Sequence, residues 1–173
     1  MGRSVSRSAL LCSLVLAMLF LRSAQGAGSA RLEGTVFKVP DGDSLNVRRD
    51  GGKREQVRLI GVNAPELDQR PWGERARRFT RSMVLERRVV IEPGAEPRDK
   101  YGRLLAYVFI DGRMLNEELL RNGLAVRLTV PPNTRYTERL AAAEQAAQAA
   151  VIGIWHPQRG LKARRVESGA RVK

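Results

Sequence analysis

The stretch from Leu32 to Val62 reads LEGTVFKVPDGDSLNVRRDGGKREQVRLIGV, and its rhythm decides the fold. Leu32 to Val39 is rich in β-branched and apolar residues and stops at Pro40-Asp41-Gly42-Asp43, a strong turn signal. Ser44 to Arg49 alternates Leu45 and Val47 with polar residues, then turns at Asp50-Gly51-Gly52. Glu55 to Val62 is a third strand, with Val57 and Leu59 on one face and Arg58 on the other. Three strands joined by tight turns predict a meander.

Downstream the period changes. Ala76, Phe79 and Met83 fall at helical spacing within Glu74 to Leu85. Arg87 to Glu92 reads as a fourth strand, Pro93 to Gly102 as a polar loop, and Arg103 to Ile110 as a fifth strand. After the Asp111-Gly112 turn comes a helix from Met114 to Arg121 with Gly123 as its C-cap. Leu124 to Val130 is short and extended. A last helix spans Thr134 to Ala150, capped by Asn133 or Thr134, with an apolar stripe of Tyr136, Leu140, Ala143, Ala147 and Val151. Five short strands and about three helices predict a mainly-β α+β domain. Its architecture is a five-stranded OB-fold barrel, whose open face takes nucleic acid or oligosaccharide.

The 173 residues suit one such domain plus tails. Lys and Arg number 31 against 18 Asp and Glu, a formal net charge of +13. That excess favours a polyanion: nucleic acid, an anionic membrane face or an acidic polysaccharide. At the N-terminus, Arg3 and Arg7 precede the uncharged, Leu-rich run Ala9 to Leu21, and Ala24-Gln25-Gly26 offers a cleavage site. Residues 1–26 therefore read as an export signal, or as an anchor if left uncut, giving a periplasmic or secreted protein. Residues 27–157 form the domain and residues 158–173 a basic tail. The single cysteine, Cys12, lies inside the signal and the single histidine is His156, so neither thiolate ligands nor a histidine pair can be assembled. Trp72 and Trp155 read as packing anchors.

Three clusters carry chemistry. Asp41-Gly42-Asp43 places two carboxylates on a turn; it is either a turn alone or oxygen ligands for a hard cation. Arg58 is followed by Asn63-Ala64-Pro65-Glu66, a strand end that presents further oxygens. In Asp99-Lys100-Tyr101-Gly102-Arg103, a guanidinium emerges at a barrel end, either paired with Asp99 or available to a phosphate.

These clusters, together with Val57 to Glu66, Asp99 to Tyr107 and Asn116 to Ala125, resemble the staphylococcal nuclease (thermonuclease) family in order and spacing from Leu32 to Trp155. The resemblance implies a calcium-dependent endonuclease of DNA and RNA with low sequence specificity that leaves 3′-phosphate ends, acting as a monomer without a protein partner. It implies a metal site of Asp43, Asn63 and the Ala64 carbonyl, with Asp41 in support. Glu66 would orient or deprotonate water, Arg58 and Arg103 would hold the phosphate, and Lys100 and Tyr101 would contact substrate. Asn63 stands where the family's best-known member has an aspartate ligand, which predicts a higher calcium requirement. Residues 127–132 lack that member's base-stacking tyrosines, which predicts binding dominated by phosphate contacts. The rival reading is a barrel of the same kind that binds single-stranded nucleic acid without cutting it.

Overall fold

A computed structural model describes residues 31–161. The expected export segment and the greater part of the expected basic tail lie outside the described residues. The chain runs through β1 (Leu32–Lys38), β2 (Ser44–Arg49), β3 (Arg54–Leu59), β4 (Gly61–Asn63), α1 (Trp72–Val84), β5 (Arg88–Arg98), β6 (Leu104–Ile110), β7 (Arg113–Met114), α2 (Leu115–Arg121), β8 (Val126–Leu128) and α3 (Thr137–Ala149), then a 3-10 turn, Gly153–Trp155.

The main sheet has the order β3-β2-β1-β5-β6-β7, and β3 also pairs with β6, closing five strands into a barrel. All contacts round the ring are antiparallel except the closing one, where Val57, Arg58 and Leu59 face Leu104, Leu105 and Ala106 in parallel register. Alternation fills the interior with Val36, Leu45, Val47, Val57, Leu59, Ile91, Ala106 and Val108, all essentially buried. Leu115, Leu119 and Leu120 of α2 and Leu140 and Ala143 of α3 complete one continuous core.

The third expected strand breaks at Ile60. Gly61 takes φ +79, and a Cβ there would lie 2.4 Å from Leu140 Cδ1, so only glycine lets α3 close over this corner. The fourth expected strand runs longer than its apolar core. β5 continues through Pro93 and Gly94 to Arg98, with a register shift against β6 between Pro93 and Arg98. A bulge tolerates proline and glycine where a regular ladder does not. The extension is held by the Asn133 side chain, whose Oδ1 accepts from Glu96 N (2.9 Å) while its Nδ2 donates to Glu96 O (2.9 Å). Asn133 therefore braces a strand and does not cap α3, whose N-cap residue is Tyr136.

Gly123 does close α2. Its N–H donates to Leu120 O and the Leu124 N–H to Leu119 O, the two bonds of a Schellman motif. The stripe on α3 ends at Ala147, because Val151 lies past the helix and is exposed. Trp72 and Trp155 pack against the core, and Trp72 Nε1 donates to Arg159 O.

Candidate active site

The Asp41-Gly42-Asp43 turn is clamped from two sides. Asp41 Oδ1 accepts from Asp43 N (3.1 Å), the local bond that makes Asp a turn residue. Thr80 of α1 donates its hydroxyl to Gly42 O at 2.7 Å, and the Asp43 carbonyl accepts from Leu59 N. A Cβ on Gly42 would stand 2.6 Å from Ala64 Cβ and 2.7 Å from Ala76 Cβ. Gly42 is therefore needed for close approach, as α1 and the end of β4 both press on it.

Asp43 is consequently buried, at 6% exposure. Its Oδ2 accepts from Ala64 N (2.7 Å) and pairs with Arg58 Nη2 (3.0 Å). Burial pushes its carboxyl up to about 6; Arg58 opposes that rise and neighbouring Asp41 adds to it. The charge on Asp43 is thus undercompensated by the protein's own groups.

Arg58 leaves the barrel on the outward face of β3 and is tied at both terminal nitrogens. Nη1 donates to Leu59 O (2.7 Å) and Val62 O (2.9 Å), and Nη2 donates to Asn63 Oδ1 (3.1 Å). The chain bend at Gly61 makes this possible by folding the Val62 and Asn63 oxygens back over the arginine that precedes them. Asn63 itself is placed by β4 pairing with β8, opposite Val126. One layer deeper, buried Asn116 donates to Ile60 O (2.8 Å) and accepts from Val108 N (3.0 Å), pinning the same bend to the barrel.

Arg103 sits at the start of β6 and pairs with Asp99, but only through Nε, at 2.7 Å. Asp99 also accepts from the Arg103 and Tyr101 backbone N–H groups, and these bonds, with the guanidinium, hold its carboxyl below the usual range against a desolvation that raises it. The arginine is thus salt-bridged to Asp99 through Nε. Tyr101 is 63% exposed, and Lys100 Nζ and the Arg103 guanidinium stand 5.2 and 5.5 Å from its ring centre.

All nine residues singled out from sequence line one open cleft of about 630 Å³: Asp41, Asp43, Arg58, Asn63, Ala64, Glu66, Lys100, Tyr101 and Arg103. Glu66 is exposed there, and its backbone N–H donates to Gln69 Oε1 (2.7 Å). Leu128, Val130 and Pro131, from the stretch expected to lack base-stacking tyrosines, line the same cleft, and sequence reasoning missed Arg98 from the β5 extension. It also missed Thr80 and the bracing role of Asn116. A lone threonine on a helix gives no local signal, because its partner is 38 residues away. His156 accepts from the backbone N–H groups of Gln158 and Arg159, a loop-closing role.

Among the described residues no three His, Cys, Asp or Glu side chains group as a metal site. A cation in the cleft would draw on neutral oxygens as well, from Asn63 and the Ala64 carbonyl. That all-oxygen set, beside a buried carboxylate whose charge is undercompensated, fits a hard divalent ion.

A family model described as "Staphylococcal nuclease homologue" matches residues 56–157. Among curated proteins, the chain is 33% identical over 166 residues to a thermonuclease of Staphylococcus intermedius, covering 88% of this chain and 98% of that one. It is 38% identical over 125 residues to a thermonuclease of Staphylococcus hyicus, covering 69% and 73%. It is also 37% identical over 128 residues to the endonuclease YncB of Bacillus subtilis (strain 168), covering 70% and 60%.

Proposed function

The chain belongs to the staphylococcal nuclease family and is a nuclease, and from that premise we propose a calcium-dependent endonuclease that cuts DNA and RNA with little sequence preference and leaves 3′-phosphate ends. The observation that carries this reading is the convergence of Asp43, Asn63, Glu66, Arg58 and Arg103 on a single cleft. A bound calcium ion, held by Asp43, Asn63 and the Ala64 carbonyl with Asp41 in support, would supply positive charge to a phosphate whose transition state gathers negative charge.

The chain's own groups do the rest. Two carbonyls, one amide and one carboxylate fix the Arg58 fork, so its positive charge is held in place beside the Asp43 carboxylate before substrate arrives. Arg103, steadied by Asp99, offers its remaining nitrogens to a second phosphate oxygen. Glu66 takes the proton of the attacking water. The water oxygen bonds to phosphorus, the bond to the 5′-oxygen breaks, and that oxygen is reprotonated from solvent. Lys100 and Tyr101, exposed beside Arg103, contact the adjoining nucleotide.

Plasmid DNA and a structureless RNA, each incubated with wild type or Glu66→Gln in calcium or in EDTA, test this. Wild type should degrade both only in calcium, with products that accept a 5′-phosphate directly and resist 3′ extension until treated with phosphatase. Glu66→Gln should lose about 100-fold or more in rate while keeping oligonucleotide affinity. Metal-independent inactivity of both proteins would instead leave a binding barrel. Export directed by residues 1–26 belongs to the same proposal, and N-terminal sequencing of protein from the culture medium or periplasm, beginning at Ala27, would support it.

A further inference from the structure

The outward face of β1–β3 carries a feature that the cleft does not use. Register pairs Ser44 with Arg58, Asn46 with Gln56 and Arg48 with Arg54, so a row of outward side chains leads from the cleft along the barrel wall. Four strand steps lead from Arg58 to Arg54, roughly 13 Å, the span of a few nucleotides. At the far end stands Phe37, an exposed aromatic, with the Arg48 and Arg54 guanidiniums 5.9 and 5.4 Å from its ring centre.

This end is costly for the fold taken alone. Arg48 and Arg54 are like charges directly opposite each other on neighbouring strands, an unfavourable arrangement. No carboxylate among the described residues pairs with either. The acids nearby are taken by other cations: Glu33 and Asp50 by Arg88, and Glu55 by Arg49, Lys53 and Arg98. What remains is an exposed aromatic ring beside two guanidiniums that no carboxylate among the described residues pairs with. That chemistry matches a base stacked beside its two flanking phosphates.

We infer that Phe37, Arg48 and Arg54 form a second contact for single-stranded nucleic acid, which takes the flank of the strand whose scissile phosphate lies in the cleft. The inference rests on the nuclease reading above and adds to it a preference for substrates several nucleotides long. An anionic membrane face would satisfy the charge, but it would not explain the aromatic beside the arginines or the row continuous with the cleft.

The test uses the full chain in EDTA, where cleavage is off, with fluorescein-labelled deoxyoligonucleotides of three and twelve nucleotides. For the twelve-mer, Arg48→Ala with Arg54→Ala should weaken binding about tenfold or more and reduce the slope of log affinity against log salt by about 1.4, the share of two phosphate contacts on a single strand. Phe37→Ala should weaken it about fivefold or more with the slope unchanged, and Arg48→Lys with Arg54→Lys should retain the slope. The trinucleotide, short enough to be satisfied by the cleft, should bind every variant as it binds wild type. Thermal melts should place the double alanine variant close to wild type, because loss of a repulsive pair offsets loss of the two guanidinium contacts to Phe37.

Twelve-mer affinity and slope unchanged in all variants would overturn the inference. So would variants that keep full twelve-mer affinity but lose binding to vesicles of phosphatidylglycerol and phosphatidylcholine, which would make the patch a membrane contact. Failure of the nuclease reading is separately visible, as absence of cleavage by wild type in calcium.

Discussion

Asp43 is asked to be ionised where burial disfavours it. A carboxyl whose pKa rises on folding, here from 3.8 to about 6, favours the fold fully below pH 3.8 and loses that contribution as pH rises through about 6. At neutral pH the metal-free protein therefore carries an avoidable cost at this residue, which a bound cation would offset. Calcium affinity measured by calorimetry should accordingly be flat above about pH 7 and fall about tenfold per pH unit below about 6. Asn63 bears on the same balance. Its Oδ1 already accepts from Arg58, and as an amide it adds no charge. Asn63→Asp should lower the calcium concentration that half-activates cleavage by about three- to tenfold. An unchanged calcium requirement would remove Asn63 from the ligand set.

At the scale of elements, the site depends on how α1 and β4 press on one turn. Thr80→Val would leave Gly42 O without its 2.7 Å donor in a buried place, a loss of about 1–3 kcal/mol. Because that carbonyl lies between Asp41 and Asp43, the melting temperature and the calcium affinity should fall together. Gly42→Ala forces contacts of 2.6 and 2.7 Å onto Ala64 and Ala76 and should cost about 1–3 kcal/mol, again with weakened calcium binding. A melt shift with calcium affinity untouched would show that the turn is not what positions Asp43.

At the scale of the whole molecule, the excess of Lys and Arg over Asp and Glu sets how substrate is held. Leu128, Val130 and Pro131 line the cleft without an aromatic ring and leave Tyr101 as its single aromatic among the described residues, so phosphate contacts should dominate binding inside the cleft. Three such contacts already give a salt slope of about −2 on a single strand. Oligonucleotide affinity should then drop at least about tenfold between about 50 and 200 mM salt; a drop of less than about threefold would contradict a phosphate-dominated cleft.

What could be read from residues alone was whatever local physics controls. Alternation in LEGTVFK, SLNVRR and REQVRL, broken by Asp-Gly turns, is enough to predict the meander, because a strand with one buried face must alternate. The Schellman end at Gly123 was legible for the same reason, whereas the candidate site residues came from the resemblance to a family, because each short motif alone reads equally well as a turn, a strand end or a salt bridge. Tertiary structure alone decided the rest. It continued β5 past Pro93, because the partner that holds the extension, Asn133, is 37 residues away. It broke β3 at Ile60, because Leu140 packs where a Cβ would be. It buried Asp43 and locked Arg58, which turned scattered charged letters into one polarised cleft. Periodicity reports which face a residue presents, whereas burial and pairing depend on what the rest of the chain brings to that face, and no window of sequence contains both.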